Sequence, residues 1–232
     1  MSQSPLALSP TYGLTVSHFG EEAQPLLQVD GALADLALVR KIAARHSYRS
    51  IGPFYPGLRA PVSAKIAMPL VEPLLPKMCE TFGLEREPAY FECYLSLVTK
   101  APGELAPIQR LPHFDGTEPE RLAVLLFLSD DSACGTAFYR QCSTGYESVD
   151  GSRYDCYLAE LEAATAQHGI PPASYIGADS PIFTRTLRVA GAANRMIAYR
   201  GNTLHCAALR DDFTPDADPR SGRLTLNLFL KA

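Results

Sequence analysis

Apolar and polar residues alternate most strictly near the end of the chain, in the run Arg223-Leu224-Thr225-Leu226-Asn227-Leu228-Phe229-Leu230. Side chains of a β-strand point alternately to opposite faces of the sheet, so the four leucines share one face. The opposite face carries Arg223, Thr225 and Asn227. This pattern predicts a strand whose leucine face packs into a core, while Arg223 points inward to a ligand side.

Several other short extended segments precede this strand. Residues 122–128 are nearly all apolar, which predicts a strand that is covered on both faces. Shorter runs with strand character and turn residues at their ends occupy residues 91–98, 108–115, 135–140, 182–189 and 195–199. We interpret the last two of these runs as a hairpin. About eight strands after residue 90 predict an antiparallel jelly roll of the double-stranded β-helix, or cupin-like, type.

The N-terminal part of the chain has a helical texture. A short strand at 26–30 is followed by helical spacing of apolar residues over 33–44. Gly-Pro and Pro-Gly dipeptides predict a loop over 50–61, and a second apolar helix over 63–82 should be broken or kinked by its three prolines. We expect a fold that is mainly β with N-terminal helices (α+β), in which these helices buttress the jelly-roll barrel.

The domain organisation follows from the same pattern. We expect residues 1–232 to form a single domain, in which 1–90 supply the N-terminal strand and supporting helices, and 91–232 the jelly-roll core. Residues 141–180 look like an insertion into that core. Within the insertion, residues 154–168 are predicted to form a helix that ends at Gly169.

Composition and charge exclude some classes of partner. A net charge of -4 and a pI near 5.7 give no broad basic field, so nucleic acid is not expected as a partner. The six cysteines form no CxxC pair and are expected to be free thiols. No run reaches the roughly 18 apolar residues of a membrane span, and the first residues lack the features of a signal peptide. We therefore expect a cytoplasmic protein with no membrane partner.

Candidate metal ligands lie in the run Arg110-Leu111-Pro112-His113-Phe114-Asp115. In an extended segment, the imidazole of His113 and the carboxylate of Asp115 share one face and can bind one metal ion. His205 is the best second histidine, because it follows an apolar strand and a Gly-Asn turn and begins the next strand. Two histidines and one carboxylate make the open facial site that non-haem Fe(II) oxygenases favour.

Taken together, these motifs resemble the HxD, distant H and RxS/T pattern of the Fe(II)- and 2-oxoglutarate-dependent oxygenases. The segment 135–140 is similar to a glycine-containing strand of the prolyl-hydroxylase-like members. More narrowly, residues 93–99, 108–115 and 135–140 resemble a bacterial family of unknown function related to that superfamily. The resemblance extends over roughly residues 26–230.

The resemblance implies specific roles. His113, Asp115 and His205 would bind Fe(II) and form the catalytic centre, and Arg223 would hold the far carboxylate of the cosubstrate 2-oxoglutarate. Thr225 or Tyr94 would assist Arg223 with a hydrogen bond. Arg210 and Arg220 are alternatives, but Arg223 is preferred because it shares the polar face of the alternating strand. The expected reaction uses dioxygen to hydroxylate an amino acid, a peptide or a small natural product, with release of succinate and CO2.

Two other functions remain open from the sequence. One is a cupin-like metal-dependent dioxygenase or hydrolase that does not use 2-oxoglutarate, and the other is a non-catalytic jelly-roll module that binds a ligand. An exposed N-terminal edge strand would allow a homodimer. Phe54 and Tyr55, in the predicted loop, are expected near the mouth of the site, as are Arg110, Tyr139 and Arg140, although packing explains these residues equally well. The acidic loop 211–218 is interpreted as a solvated loop, with a lid as the alternative.

Overall fold

The computed structural model describes residues 4–210 and 212–232, apart from the side chain of Ser132. Asp211, at the start of the predicted acidic loop, lies outside the described residues. The strands of the described chain are β1 Gly13–Phe19, β2 Gln24–Asp30, β3 Gly57–Pro61, β4 Ala89–Val98, β5 Arg121–Phe127, β6 Asp131–Gln141, β7 Phe183–Gly191, β8 Arg195–Arg200, β9 His205–Ala208 and β10 Leu224–Lys231. The α-helices are α1 Leu36–Ala43, α2 Ala64–Ala67, α3 Leu75–Phe82 and α4 Tyr154–His168.

Seven strands form a large antiparallel sheet in the order β1-β2-β8-β5-β10-β4-β3. The alternating strand β10 lies near its centre, between β5 and β4. Its leucine face is buried against the N-terminal helices, and Leu226 and Leu228 are 0 % exposed. Burial of this face, at about 25 cal/mol per Å² of apolar area, is the main source of stability for this layer. The predicted orientation of β10 is confirmed.

Three strands form a small sheet in the order β7-β6-β9. Its inner face shares an apolar core with the inner face of the large sheet, where aromatic residues meet, including Phe19, Phe138, Tyr199 and Phe229. Two facing antiparallel sheets confirm the predicted jelly-roll class. In the described part of the chain the two sheets remain separate layers and do not close into one continuous barrel.

The N-terminal helices follow the prolines. The apolar stretch 63–82 consists of α2, the 3-10 turns Met68–Leu70 and Glu72–Leu74, and α3, with a proline near the start of each of the last three pieces. Proline lacks the amide donor of a helix interior, so each proline begins a new short piece. The predicted broken helix is confirmed. The helix predicted over 33–44 is confirmed in place, but α1 is shorter than the sequence suggests.

The prediction of a loop over residues 50–61 is wrong at its end. Residues Gly57–Pro61 form β3, which pairs with β4 at the edge of the large sheet. A Cβ on Gly57 would lie 1.9 Å from the carbonyl oxygen of Leu97, so glycine is needed for the two backbones to pair this closely. The glycine and proline that indicated a loop are therefore the residues that start and end this strand.

Two further predictions need correction. Strands β7 and β8 are not a hairpin, because β7 pairs with β6 in the small sheet and β8 pairs with β2 and β5 in the large one. The connection between them turns at Asn194, whose φ of 65° is positive and whose amide donates to Phe127 O at 2.9 Å.

The run 108–115 is not a strand either. It contains a 3-10 turn, Pro107–Arg110, followed by a single β-bridge at His113.

The insertion predicted at 141–180 lies between β6 and β7 and contains α4 over the predicted residues. Gly169 follows α4 with φ 82°, a conformation that glycine adopts readily. The helix covers the outer face of the small sheet, where Tyr157 is buried. None of the helices in residues 4–210 and 212–232 is long and apolar enough to cross a membrane.

Candidate metal centre and its cavity

Three predicted ligands converge at one end of the space between the two sheets. One ligand atom from each of His113, Asp115 and His205 lies within 4.8 Å of the other two. His205 Nε2 is 3.4 Å from Asp115 Oδ2, and His113 Nε2 is 3.9 Å from Asp115 Oδ1. In the described part of the chain, no fourth His, Cys, Asp or Glu joins this group. Two imidazoles and one carboxylate grouped in this way could hold one metal ion and leave part of its coordination shell open.

Backbone hydrogen bonds bring the sequence-distant ligands together. The amides of His113 and His205 each donate to the other's carbonyl oxygen at 2.8 Å, in the β-bridge that joins the run 108–115 to β9. The amide of Asp115 donates to Gly201 O at 2.7 Å, in the turn that precedes β9. Because residues 113 and 115 are both fixed to the segment 201–205, their side chains lie beside the ring of His205.

The hydrogen bonds around the ligands favour metal binding. His205 Nδ1 lies 2.8 Å from Thr203 O, and its N–H donates to that carbonyl, so Nε2 carries a free lone pair toward the site. The ring of Tyr199 packs edge-on against the ring of His205, with 4.8 Å between the two ring centroids. Asp115 Oδ2 is buried and has no hydrogen-bond partner in the described residues. A buried carboxylate oxygen without a partner is costly, and a divalent cation would satisfy it.

The charges of the site point the same way. The side chain of His113 is 53 % exposed, and the exposed part lines the cavity. The protein atoms around the imidazole disfavour its charged form and lower its pKa well below 6.5. The neighbouring His205 and the Arg59 guanidinium lower that pKa further. A lowered pKa favours the neutral imidazole, which is the form that binds a metal ion. Burial raises the pKa of Asp115 because it penalises the ionised carboxylate, although nearby His205 and Arg59 oppose the shift. A bound cation would offset this penalty and favour the ionised form. The donor set therefore fits a divalent metal ion.

A cavity of about 580 Å³ opens from the three ligands toward the surface. Arg223 lines it, is only 8 % exposed, and donates from Nη2 to Gly135 O at 2.8 Å. Arg223 Nε has no partner in the described residues, nor do Tyr55 OH and Thr136 Oγ1, which line the same cavity. Buried polar atoms are rarely left unpaired, so this end of the cavity fits a ligand with acceptor oxygens.

The other predicted cosubstrate residues occupy different positions. Thr225 lines the cavity, and its hydroxyl donates to Asn227 Oδ1 at 2.8 Å. Tyr94 is on the inner face of β4, but its hydroxyl donates to Glu92 at 2.8 Å and it does not belong to the cavity lining, so its contact with a cosubstrate stays a prediction. Arg210 and Arg220 also lie outside this lining and pair with Asp212 and Asp218.

Sequence reasoning missed Arg59. This residue lies on β3 and lines the cavity, and its guanidinium carbon is 4.1 Å from the ring centroid of Tyr55 and 5.0 Å from that of Tyr94. Residues 50–61 were predicted to form a loop, so Arg59 was not assigned to a strand face that points into the cavity. The alternation Leu58-Arg59-Ala60 between two turn signals would have been the signal, but such a short run carries little weight by itself.

Comparisons with solved structures support the fold. HygX from Streptomyces hygroscopicus, in crystal structures with nickel and 2-oxoglutarate and also with hygromycin B bound, superposes with a TM-score of 0.51 and 13% identity. The match covers 90% of this chain and 84% of HygX. An N-substituted L-amino acid dioxygenase from Burkholderia ambifaria AMMD gives a TM-score of 0.45 at 13% identity, over 95% of both chains. At 13% identity, the likeness to HygX shows a shared fold. No curated protein matches this chain.

The predicted resemblance is therefore confirmed at two levels. HygX, which shares this fold, binds nickel and 2-oxoglutarate in its crystal structure, and 2-oxoglutarate is the cosubstrate that the motifs suggested. Residues 10–230, almost the whole chain, match a family described as a family of unknown function. The protein belongs to this family, DUF6445.

Proposed function

We propose that this protein is a non-haem Fe(II)- and 2-oxoglutarate-dependent oxygenase that hydroxylates a small molecule, such as an amino acid, a peptide or a natural product. The observation that carries this proposal is the convergence of His113, Asp115 and His205 in the lining of a cavity that the buried Arg223 also lines. The bound metal and 2-oxoglutarate in the HygX structures add support from the same fold.

The three protein ligands would hold Fe(II) and leave part of its coordination shell open. When bound, Fe(II) and 2-oxoglutarate supply the oxidising chemistry, which consumes dioxygen and releases succinate and CO2. The chain's own contribution is to hold and shield this centre. Thr203 O fixes the tautomer of His205, and the backbone bonds at residues 113 and 115 fix the other two ligands.

Arg223 is the proposed anchor for the far carboxylate of 2-oxoglutarate. Its planar guanidinium can donate two parallel hydrogen bonds to a carboxylate, and its unpaired Nε is available for one of them. Thr225 and the unpaired hydroxyl of Tyr55 are its proposed helpers. Tyr94, whose ring lies against Arg59, would act through packing rather than through a direct hydrogen bond. Residues 1–232 would work as one domain.

The proposal is tested by anaerobic titration of the protein with Fe(II) and 2-oxoglutarate. The chelated cosubstrate should produce a weak visible charge-transfer band. Arg223→Gln should weaken 2-oxoglutarate binding about tenfold or more, because a charged hydrogen bond is worth roughly 1.5–3 kcal/mol, and should leave metal binding intact. Arg220→Gln is the matched control, since Arg220 is exposed and pairs with Asp218, and should behave as the wild type. A protein that retains metal but gives no band would indicate a metal enzyme without this cosubstrate.

A further inference from the structure

The cavity contains a second cation, Arg59, that the proposed cosubstrate does not use. Its Nε is buried without a hydrogen-bond partner, and no carboxylate in residues 4–210 and 212–232 lies within ion-pair distance of it. Its guanidinium packs on the rings of both Tyr55 and Tyr94, and these two contacts restrict its position. A cation held this way without a counter-ion is suited to bind an anion from solution.

The charge balance of the cavity leaves room for one negative charge. Its lining contributes two guanidinium groups, from Arg59 and Arg223, and one carboxylate, from Asp115. A divalent metal ion adds two positive charges, and 2-oxoglutarate adds two negative ones. Counted over the residues that line it, the loaded cavity therefore retains one net positive charge, which a monoanion would neutralise. Glu92, which accepts a hydrogen bond from Tyr94, lies outside this lining.

The outer part of the same cavity is apolar. Phe54 is 69 % exposed and Tyr154 is 40 % exposed, and Ile108 and Leu158 are exposed as well, although large apolar side chains favour burial. They come from the loop before β3, from the turn Pro107–Arg110 and from α4, yet all four line the cavity. An apolar surface that three separate segments assemble around a mouth marks a binding site. We call these four residues the apolar rim.

The size of the cavity allows two ligands. Its volume of about 580 Å³ lies within the range of about 300–1,000 Å³ that is typical of sites for drug-sized ligands. A small diacid at Arg223 fills only part of such a space. Arg59 and the apolar rim line the same cavity, so a second molecule bound there would meet both a cation and apolar side chains.

We propose that the oxidised substrate is an amphipathic monocarboxylic acid, whose carboxylate binds Arg59 and whose apolar or aromatic body lies against the apolar rim. This proposal rests on the proposed function, because it places the acid beside the loaded metal centre. It names a substrate class and a specificity-determining residue: Arg59 selects the acid over a neutral analogue of the same shape, and the rim selects an apolar body.

The first test uses the wild-type protein loaded anaerobically with Fe(II) and 2-oxoglutarate. 3-Phenylpropionate and its uncharged amide, 3-phenylpropanamide, are titrated by calorimetry, and the shift of the charge-transfer band reports binding next to the metal. The acid should bind about tenfold tighter than the amide or better, since the amide cannot form the charge-assisted pair with the guanidinium. Equal affinities, or no binding of the acid to a protein that shows a normal band, would overturn the proposal and leave the proposed function standing.

The second test changes Arg59. Arg59→Gln should remove the preference for the acid while 2-oxoglutarate still produces its band at nearly the wild-type concentration. Arg59→Lys should restore part of the preference, because it retains the charge but not the planar donors. Arg49→Gln is the matched control: Arg49 is exposed, and its backbone pairs with that of Arg59, but its side chain is not part of the cavity lining.

The outcomes separate the two proposals. Loss of the 2-oxoglutarate band in Arg59→Gln, with the band retained in Arg223→Gln, would make Arg59 the cosubstrate anchor and overturn the inference. Absence of any band in the wild type would contradict the proposed function instead. If Arg59→Gln does not fold, the apolar half is tested with Phe54→Ala, an exposed position: affinity for 3-phenylpropionate should fall several-fold and affinity for acetate should not change. Unchanged affinity for both acids would count against the rim.

Discussion

The two sheets of this protein differ in what covers them and in which side chains they bury. The large sheet hides a continuous layer of leucines beneath the N-terminal helices, and its inner face carries the polar residues Arg223 and Thr225. The small sheet has only three strands and is covered outside by α4. One of its strands begins at His205, a proposed metal ligand, and the bridge to His113 lies at the same edge.

This difference separates stability from chemistry. In the large sheet, the residues that stabilise the fold and those proposed to bind the cosubstrate lie on opposite faces of β10. Alternation directs the leucines to one face and Arg223 and Thr225 to the other. In the small sheet, the ligand His205 lies at the start of a four-residue strand and is held by backbone bonds to an irregular segment. We therefore expect substitutions in the outer face of the large sheet to affect folding, and those at the edge of the small sheet to affect metal binding.

The largest effect is expected for His205→Ala. Loss of one of three protein ligands should cost more than the roughly 10–100-fold loss of affinity that follows removal of an outer-shell partner, and should abolish Fe(II) binding at micromolar concentrations. The fold should persist, since β9 is held mainly through its backbone. Calorimetric titration with Co(II) or Fe(II), together with circular dichroism, would measure both. His168→Ala, at an exposed helix end, is the control. Full metal affinity in His205→Ala would refute the proposed centre.

The next effect concerns the leucine face. Leu226→Ala should lower the free energy of unfolding by about 2–5 kcal/mol, because it removes a fully buried side chain and leaves a cavity. The folded fraction should bind metal with affinity within about threefold of the wild type, since residues more than a layer apart act nearly independently. Urea unfolding measures the first quantity. Leu38→Ala, the same change at an exposed site on α1, should cost less than about 0.5 kcal/mol. A large drop in metal affinity for Leu226→Ala would show that the two faces are coupled.

The same contrast explains what the sequence could predict. Strict alternation at 223–230 predicted the orientation of β10 because one face is buried in leucine and the other carries function. The pair His113 and Asp115 could be recognised because two residues of spacing place both side chains on one side even of a single β-bridge. The prolines of 63–82 predicted the breaks in the helix because each removes a donor at a known position.

The sequence does not show which strands pair with each other. The runs at 182–189 and 195–199 have strand character, but their hydrogen bonds go to different sheets, and long-range packing decides this choice. Arg59 was missed for a related reason: a five-residue strand between turn signals shows too little of its period to be recognised. The role proposed for Arg59 rests on its contacts with Tyr55 and Tyr94 and on its place in the cavity lining, and these depend on the assembled fold.

The smallest effect is expected at a contact between the large sheet and the insertion that follows β6. Glu22, beside the turn between β1 and β2, meets the insertion at Ser148 and Arg153. Burial alone would raise the pKa of Glu22, but hydrogen bonds from Ser148 Oγ at 2.5 Å and from the amide of Glu147 at 3.1 Å outweigh it, so the pKa lies below 4.5. The ionised carboxylate therefore stabilises the folded state above the unfolded pKa, and this contribution is lost as the pH falls through the folded pKa.

Glu22→Gln tests this sign. At pH 7 the variant should unfold with about 1–2 kcal/mol less free energy than the wild type, because the charged hydrogen bonds to Ser148 and Arg153 are weakened. The difference should be constant down to about pH 5 and should shrink below it, as Glu22 of the wild type takes up its proton. Urea unfolding between pH 3 and 7 measures it, with Glu87→Gln as an exposed control that should stay within about 0.5 kcal/mol throughout. A difference that does not change with pH would mean that the shape of the side chain, and not its charge, joins the β1–β2 turn to the insertion.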